Sequence, residues 1–288
     1  MKFTIVTPSF NHGSYFRTAI ESVLSQNYTA VDYIVMDGGS TDGSAEIIKE
    51  YAGRLHGWRS APDGGQYAAV QEGFGLSDGE IMGWLNADDF YLPWTFRLVA
   101  RIFDQFPEIE WITSRFAMVC DAFGIVHSCH PMPGFNKDDF AKGENLGGLG
   151  LPSTGYIQQE ATFWRRRLWD AAGASFDKGL SLAADFELWS RFFDLAPLVA
   201  VDAPLAVFRR HDRQRSQEQS QAYLAEARSV LERKGKIDWD VRSAKVRVLA
   251  KSSFPPEMRQ LGISLGLFQP SKRLVYDPEE GKFNVVSY

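Results

Sequence analysis

Two adjacent carboxylates, Asp88 and Asp89, follow a short apolar run at residues 81–85 in the sequence MGWLNADDFY. Two neighbouring negative charges at the end of a buried strand are costly unless a cation or hydrogen-bond donors compensate them. Divalent cations such as Mg²⁺ or Mn²⁺ prefer oxygen ligands, and a bound cation can bridge a diphosphate. The alternative is a polar turn that caps the next segment, which would still have to accommodate both charges.

A second polar cluster, DGGSTDGS, occupies residues 37–44. Its glycines and small hydroxyl residues allow a tight turn and a close approach of a ligand to the backbone. Asp37 ends an apolar run, and a carboxylate at this position could accept an N–H from a planar base. An ordinary strand-to-helix turn with aspartate capping explains the same residues, so this motif alone leaves both interpretations open.

The first half of the chain alternates predicted strands and helices, which is typical of an α/β fold with a mostly parallel sheet. The predicted strands are Phe3–Thr7, Val31–Met36, Leu55–Ser60 and Ile81–Leu85. The predicted helices are Tyr15–Ser25, Ser44–Tyr51 with Ser44 as N-cap, and Gln66–Leu76. The clusters TPSFN, DGGSTDGS, APDGG and NADD all follow predicted strands. Ligands of such sheets bind beyond the carboxyl ends of the strands, so these clusters are expected to line one cleft.

The second half is less regular. The predicted helices are Thr95–Phe106, Phe163–Ala172, Phe186–Asp194 and Gln217–Lys234, and the predicted strands are Trp111–Val119 and Leu198–Phe208. Residues 130–155, rich in Gly and Pro, predict a long functional loop. A basic amphipathic stretch, Lys245–Phe268, predicts either a membrane-surface segment or a helical pair packed on the domain. The sequence YDPEEGKF predicts a closing hairpin.

Composition excludes several classes of protein. The net charge is −5 and the sequence pI is about 5.6, which argues against a nucleic-acid partner. The two cysteines, Cys120 and Cys129, form no Cys-x-x-Cys pattern, so the sequence predicts no structural zinc site. With so few cysteines, a reducing cytoplasm is the simplest setting for the protein. The N-terminus lacks a signal-peptide layout, and no apolar segment reaches the roughly 20 residues that span a bilayer. We expect a cytoplasmic protein, peripheral at most to the inner face of the cell membrane.

Taken in order, the motifs resemble family two of the GT-A glycosyltransferases, inverting enzymes that use nucleotide sugars. The resemblance covers roughly residues 3–215, and it is closest to the bacterial subgroup that assembles O-antigen and other surface polysaccharides. Its elements are TPSFN, SVLSQNY, DGGSTDGS, APDGGQYAAVQEGF, GEIMGWLNADDFY, QEATFWRRRLWDAAG, AADFELWSR and the late RRH. It implies a GT-A (Rossmann-like) mixed, mostly parallel sheet flanked by helices. The catalytic domain would be residues 1–215, followed by a helical and hairpin extension at 216–288.

The resemblance also assigns nucleotide contacts and metal ligands. The expected nucleotide-binding residues are Thr7, Pro8, Ser9, Asp37, Asp63, Asn86 and Ala87. The segment 86–88 occupies the place of the family's Asp-x-Asp motif, with Asp88 as the direct ligand of Mn²⁺ or Mg²⁺. The neutral Asn86 departs from that motif and can still bond a ribose hydroxyl or a metal-bound water. Asp89 and His211 complete the predicted metal ligands. A solvated basic loop is the alternative for His211, and the adjacent Arg209 or Arg210 could bind phosphate.

Asp185, in AADFELW, matches the family's general base, which must take the proton of the attacking acceptor hydroxyl. Its alternative is an ordinary acidic residue at a helix N-terminus. Glu187 is a weaker candidate, and Gln159 and Glu160 precede the segment that would line the acceptor side. The remaining histidines, His12 among them, show no ligand spacing.

The sequence therefore predicts a metal-dependent inverting glycosyltransferase. It would move a sugar from a nucleoside diphosphate donor, UDP- or dTDP-linked, to a hydroxyl of a glycan or lipid-linked oligosaccharide. One alternative is a nucleotidyltransferase, although TPSFNHGSYFR offers little of the basic, glycine-rich phosphate loop such an enzyme needs. The other is a non-catalytic nucleotide- or glycan-binding module with a degenerate metal site, for which Asn86 is the main support.

Overall fold

A nine-stranded mixed sheet forms the centre of the fold in the computed structural model, which describes residues 1–146, 153, 155–212, 214–235, 255–266 and 269–287. Strands are numbered in chain order across the whole molecule. This sheet contains β1 (Phe3–Ser9), β2 (Val31–Asp37), β3 (Gly57–Ser60), β4 (Ile81–Trp84), β6 (Trp111–Ser114), β9 (Thr162–Arg165), β10 (Val199–Val201), β12 (Lys272–Asp277) and β13 (Lys282–Ser287). Their spatial order is β13-β12-β10-β6-β9-β4-β1-β2-β3.

A smaller sheet of four strands lies beside it, in the order β5-β11-β7-β8. Its strands are β5 (Phe90–Tyr91), β7 (Phe116–Cys120), β8 (Val126–Pro131) and β11 (Ala206–Arg209). β5 pairs antiparallel with β11, so the segment that follows the Asp88–Asp89 pair is joined to the segment that precedes His211. This pairing brings two distant parts of the chain to one place.

Helices cover both faces of the large sheet. They are α1 (Gly13–Leu24), α2 (Ser44–Tyr51), α3 (Gln66–Phe74), α4 (Thr95–Gln105), α5 (Lys137–Ala141), α6 (Arg166–Ala171), α7 (Ala184–Leu195), α8 (Arg215–Glu218), α9 (Ser220–Lys234) and α10 (Pro256–Ser264). The described residues form two separate hydrophobic cores, because successive residues of a strand point to opposite faces. Val6 joins the core beneath α3 and α7, whereas its neighbour Ile5 joins the core beneath α1 and α4.

The sheet is mostly parallel, as predicted. β1 pairs in parallel with β2 and β4, and β10 pairs in parallel with β6 and β12. Only β9 and β13 run antiparallel to their partners within the described part of this sheet. The prediction of a mixed, mostly parallel sheet flanked by helices is confirmed.

Helix α3 approaches β1 very closely at Gly73. A Cβ atom at this position would lie 2.7 Å from Cγ1 of Val6, closer than carbon atoms can pack. Glycine therefore allows the helix to lie directly on the strand. This contact holds the end of α3 on β1, and the first turn of the same helix carries Gln66 and Tyr67.

The C-terminal hairpin, predicted from YDPEEGKF, is confirmed as β12 and β13. It extends the central sheet, because β12 pairs in parallel with β10. The Gln105 amide of α4 donates to the Phe283 carbonyl at 2.7 Å, which fastens the hairpin to the domain. The predicted division of the chain at residue 215 stays a prediction.

Two predicted strands are wrong in extent, since each is broken into two strands in different sheets. Trp111–Val119 divides at Arg115 into β6 and β7, and Leu198–Phe208 divides at residues 202–205 into β10 and β11. At the first break the Ser114 hydroxyl and the Phe116 N–H are 3.0 Å apart, a local bond that replaces ladder pairing. Each break coincides with polar residues or proline, Ser114 and Arg115 at the first and Asp202 and Pro204 at the second, between apolar flanks that together look like one strand.

Other local predictions also need correction. Phe163–Ala172 begins with strand β9, and only its second part is the helix α6. The N-cap of α2 is Gly43 rather than Ser44, and the Asp42 carboxylate accepts the Ser44 N–H at 3.1 Å. Strand β1 continues through Pro8 to Ser9 in register with β2.

The predicted loop 130–155 contains the end of β8 and the helix α5, while residues 147–152 and 154 lie outside the described residues. Of the basic amphipathic stretch, residues 255–266 are described and contain α10, whereas 245–254 and 267–268 lie outside the described residues. Within the described residues we find no helix long and apolar enough to span a membrane.

Candidate active site

A histidine–carboxylate cluster lies where β1, β4 and β11 end. Nε2 of His211 is 3.1 Å from Oδ2 of Asp88, and Nε2 of His12 is 3.9 Å from the same oxygen. Potential ligand atoms of the three residues all lie within 4.8 Å of one another. Two imidazoles and a carboxylate form a donor set that suits a divalent transition metal. The chemistry of the residues therefore fits the predicted cation.

The surroundings of His211 hold its ring in place. The Tyr15 ring packs against it with centroids 4.6 Å apart, and the imidazole is nearly buried. The alternative interpretation places His211 in a solvated basic loop, and the burial of its ring argues against that interpretation.

Arg209 anchors the backbone of the NADD segment. Its Nε donates to the Asp88 carbonyl at 2.8 Å, and its Nη1 donates to the Ala122 carbonyl at 3.1 Å. The guanidinium also lies over the rings of Tyr15 and Phe90, and Arg209 is only 4% exposed. These contacts favour a positioning role for Arg209 over phosphate binding.

Asp89 faces inward. Its Oδ1 accepts the Arg209 backbone N–H at 2.8 Å, and its Oδ2 lies 3.4 Å from Nδ2 of Asn86. Burial raises the pKa of this carboxyl well above its usual range, and the charges of Asp88 and Glu160 raise it further. The prediction that Asp89 is a metal ligand stays a prediction. Its hydrogen bond to the Arg209 N–H favours a structural role instead, in which Asp89 holds the end of β11.

The first turn of α3 connects the NADD segment to the predicted general base. Nε2 of Gln66 donates to Oδ1 of Asn86 at 2.9 Å. The hydroxyl of the next residue, Tyr67, lies 2.6 Å from the Leu182 carbonyl and 3.2 Å from Oδ1 of Asp185. Consecutive residues of one helix therefore contact both predicted functional groups, although Asn86 and Asp185 are far apart in sequence.

Asp185 lies at the beginning of α7, as predicted. Withdrawal from water raises its pKa to about 6, although the Phe186 N–H and the Tyr67 hydroxyl favour the charged form. The helix start is held by Glu226 of α9, whose Oε2 accepts the N–H groups of Leu182 and Ala183, both at 2.9 Å. A carboxyl with a pKa near neutrality is suited to accept a proton at physiological pH.

Glu160 lies between the two acidic positions. It is 3% exposed, and its Oε1 accepts the Gln158 amide at 2.8 Å. Burial raises its pKa well above the usual value, and the charges of Asp88 and Asp185 both add to the shift. Glu160 is therefore close enough to both Asp88 and Asp185 for their charges to raise its pKa.

The turn at residues 37–44 is held by Asp37 itself. Its Oδ2 accepts from the Ser40 N–H and from the Ser60 hydroxyl, at 3.0 and 2.7 Å, and its Oδ1 accepts from the Ser40 hydroxyl at 2.5 Å. Asp37 has no exposed surface. The prediction that Asp37 bonds a base stays a prediction. The hydrogen bonds that Asp37 accepts from Ser40 and Ser60 favour a role in stabilising the turn.

The other predicted nucleotide residues lie around the same edge of the sheet. Thr7, Pro8 and Ala87 are buried, and the Thr7 hydroxyl accepts from Tyr33 at 2.9 Å. Ser9 is also buried, and its hydroxyl has no hydrogen-bond partner among the described residues. The orphaned Ser9 hydroxyl is free to bond a ligand.

Asp63 lies beside the glycine turn. One of its oxygens would be 3.3 Å from a Cβ atom at Gly38, and the Phe10 ring lies at the same distance from that position. Phe10 is 60% exposed, although it follows a fully buried strand. An exposed aromatic ring, a carboxylate and a glycine turn together form a platform on which a planar base can stack.

Sequence reasoning missed three residues of this site. His12 gave no signal, because its partners are 76 and 199 positions away along the chain. Tyr67 and Phe10 belong to quoted motifs, APDGGQY and TPSFN, but aromatic residues there are as easily assigned to the core. Only the fold shows that they lie at the carboxyl edge of the sheet.

A sequence model of the family described as "Glycosyl transferase family 2" matches residues 4–157, somewhat more than half of the chain. An uncharacterized glycosyltransferase of Nostoc sp. is 30% identical over 112 residues, which cover 36% of this chain and 33% of that protein. Another, from Rickettsia typhi, is 25% identical over 212 residues, which cover 73% of this chain and 64% of that protein. The chain thus spans about a third to two thirds of the length of these relatives.

Solved structures share the fold. Staphylococcus aureus TarS, in a complex with UDP-GlcNAc, superposes with a TM-score of 0.62 at 16% identity and covers 93% of this chain and 77% of that one. A mannosyltransferase of Pyrobaculum calidifontis, in a complex with GDP-Man and Mn²⁺, gives a TM-score of 0.56 at 15% identity, with coverages of 93% and 81%. The predicted fold class is therefore confirmed.

Proposed function

This chain belongs to glycosyl transferase family 2, and from that membership we propose that it transfers a sugar, with inversion, from a nucleoside diphosphate to a glycan hydroxyl. The observation that carries the proposal is the link made by Gln66 and Tyr67. These consecutive residues bond Asn86 in the NADD segment and Asp185 at the start of α7. The proposed donor-binding segment and the proposed general base thus both contact the first turn of α3.

We propose that Asp185 is the general base. An inverting transfer needs a carboxylate that removes the acceptor hydroxyl's proton while its oxygen attacks the anomeric carbon. A pKa of about 6 leaves most of Asp185 ionised at pH 7 and makes it a stronger base than an ordinary aspartate. The Tyr67 hydroxyl orients the carboxylate and favours its charged form.

We propose that Asp88 and His211 hold a divalent cation, Mn²⁺ or Mg²⁺. When bound, such a cation neutralises the charge that develops on the departing diphosphate. Arg209 supports this site from behind by fixing the Asp88 carbonyl, and Tyr15 fixes the His211 ring.

The donor is proposed to be a UDP- or dTDP-sugar. Phe10 offers a face for the base, and the unpartnered Ser9 hydroxyl and the Asp63 carboxylate offer polar contacts. Complexes with UDP-GlcNAc and with GDP-Man are known for two proteins of the same fold, which supports a nucleotide-sugar donor of some kind.

We propose a lipid-linked oligosaccharide of a bacterial surface polysaccharide, such as O-antigen, as the acceptor, reached at the inner face of the membrane. Support comes from α10 and its C-cap residue Leu265, since Met258, Leu261 and Leu265 are at least half exposed at helical spacing. Replacing Leu261 and Leu265 by Ser should reduce binding to phospholipid vesicles. Replacing Phe123, which is 89% exposed in the turn between β7 and β8, by Ser serves as the matched control.

The direct test of the function is release of nucleoside diphosphate from a panel of UDP-, dTDP- and GDP-sugars, with bacterial lipid-linked oligosaccharides as acceptors. The proposal predicts acceptor-dependent release from one donor and an inverted anomeric configuration in the product. A folded protein that binds a nucleotide but never transfers sugar would instead be a non-catalytic binding module.

A further inference from the structure

We propose that His12 is a third protein ligand of the divalent cation, and that this second imidazole makes the site prefer Mn²⁺ or Co²⁺ over Mg²⁺. The inference rests on the proposed function, because it takes Asp88 and His211 as the other two ligands. It adds His12, which lies in the loop between β1 and α1 and is not part of the metal-binding motif at residues 86–88.

The spacing of the three side chains supports the proposal. Nε2 of His211 and Nε2 of His12 face the same oxygen of Asp88, at 3.1 and 3.9 Å. A cation held at ~2.0–2.2 Å by two ligands places those ligand atoms ~3.0–3.5 Å apart. The His211 pair is already within that range, and the His12 pair needs a shift of less than 1 Å.

The loop that carries His12 is well fixed, yet the ring itself has freedom to adjust. Asn11 has a positive φ of 58°, and its Oδ1 accepts the Thr41 N–H at 2.9 Å. On the other side of His12, the Gly13 N–H donates to the Asp42 carboxylate at 2.8 Å. Nδ1 of His12 has no hydrogen-bond partner within the described residues, so the ring can shift towards Asp88 without breaking a bond.

The chemistry of this chain explains why an imidazole is needed. The first position of the metal motif is Asn86, whose Oδ1 already accepts from Gln66. With one carboxylate lost from the motif, His12 supplies the missing donor from another element. Mg²⁺ strongly prefers oxygen ligands, whereas affinity for nitrogen-containing sites rises from Mn²⁺ to Co²⁺. Two nitrogens and one oxygen should therefore select against Mg²⁺.

The test measures metal binding to the whole chain by calorimetry, with Mn²⁺, Co²⁺ and Mg²⁺ titrated separately and no nucleotide present. Visible absorption of the Co²⁺ complex reports nitrogen ligation independently of activity. The matched control is His56→Ala, because His56 also lies 3.1 Å from an aspartate oxygen, Oδ1 of Asp32, in a pair outside the cluster.

We expect His12→Ala to lower Mn²⁺ and Co²⁺ affinity by about tenfold or more, with little effect on Mg²⁺. The Co²⁺ spectrum should change in His12→Ala and stay unchanged in His56→Ala. His12→Asp should shift selectivity towards Mg²⁺. Unchanged Mn²⁺ and Co²⁺ affinity in a folded His12→Ala protein would overturn the proposal, as would a native protein that binds Mg²⁺ as tightly as Co²⁺.

Failure of this proposal is distinguishable from failure of the proposed function. A native protein that transfers sugar but shows no loss of metal affinity in His12→Ala keeps the function and excludes His12 as a ligand. A native protein that shows the His12-dependent metal selectivity but transfers no sugar keeps the ligand assignment and excludes the transferase.

Discussion

Nε2 of His211 lies 3.1 Å from Oδ2 of Asp88, although the two residues are 123 positions apart in the chain. The antiparallel pairing of β5 with β11 brings them together, because β5 follows Asp89 directly and β11 ends just before His211. The smaller sheet is therefore part of the site's construction. A change that weakens this pairing should affect the site before it affects the central sheet.

Asp185→Asn should abolish sugar transfer. Loss of a general base costs roughly 10²–10⁴-fold in rate, and the amide cannot accept the hydroxyl proton. Donor binding should persist, because the NADD segment is untouched. The measurement compares turnover with nucleotide affinity in the same preparation. Asp78→Asn is the control, since Asp78 is exposed and lies outside the cleft. Near-normal turnover of Asp185→Asn would exclude this residue as the base.

Asp185→Asn should also change stability in a pH-dependent way. The folded-state pKa of about 6 is above the ordinary aspartate value of 3.8, so the folded protein holds this proton more tightly than the unfolded chain. Stability from this group is present below about pH 3.8 and is lost as pH rises through about 6. Relative to the native protein, the variant should gain roughly 3 kcal/mol in all as pH rises from below 3.8 to well above 6, about half of it between pH 5 and pH 8. Denaturant unfolding at pH 5 and pH 8 checks this, and an equal difference at both pH values contradicts it.

The pH profile of transfer should show an acidic limb near pH 6, since only ionised Asp185 accepts a proton. Tyr67→Phe removes a hydrogen bond that favours the charged form, so the limb should move to higher pH. A structural role alone would lower activity at every pH without moving the limb. Turnover of the native protein and of Tyr67→Phe between pH 5 and pH 9 separates these outcomes.

Arg209→Ala should destabilise the protein by about 2–4 kcal/mol, because it leaves the Asp88 and Ala122 carbonyls without their charged donor. The neighbouring Arg210 is exposed, so Arg210→Ala serves as a matched control with little expected change. Denaturant unfolding of both variants gives the comparison. Equal stabilities would show that Arg209 does not anchor the NADD segment.

Asn86→Asp should couple stability to the cation. The substitution would place a third carboxylate beside Asp88 and Asp89. It would also remove the Asn86 amide that now faces the Asp89 carboxylate. The metal-free variant should therefore melt at a lower temperature than the native protein. Added Mg²⁺ should restore more stability to the variant than to the native protein, since it supplies another oxygen ligand. Thermal melts over a range of Mg²⁺ concentrations test this. A metal-free variant that melts higher than the native protein contradicts the expectation.

The alternation of strands and helices in the first half was predictable because each apolar run ends in a polar turn, as at Asp37 and Asn86. The grouping of the polar clusters at one edge of the sheet was predictable for the same reason, since these clusters follow the carboxyl ends of neighbouring strands. Asp88, His211 and Asp185 could be named from the motifs. What their side chains contact could not be derived, because no local pattern encodes the pairing of β5 with β11.

The misses share a physical cause. Periodicity cannot distinguish one long buried strand from two short ones in different sheets, and this is why the breaks at Arg115 and at residues 202–205 went unseen. A carboxylate in a turn looks identical in sequence whether it faces a ligand or the backbone. Asp37 is such a case, since its oxygens accept from Ser40 and Ser60. His12 is the opposite case, a residue without a local signal whose role depends wholly on tertiary contacts.

The central claim is that Asp88 belongs to a cleft that binds a nucleoside diphosphate together with a divalent cation. The most direct measurement is calorimetric titration of UDP, dTDP and GDP into the native protein and into Asp88→Asn, each with and without Mn²⁺. We predict that one nucleotide binds the native protein tightly only when Mn²⁺ is present, and that Asp88→Asn loses this binding while remaining folded. If no nucleotide binds the folded native protein, or if Asp88→Asn binds equally well, the claim is contradicted.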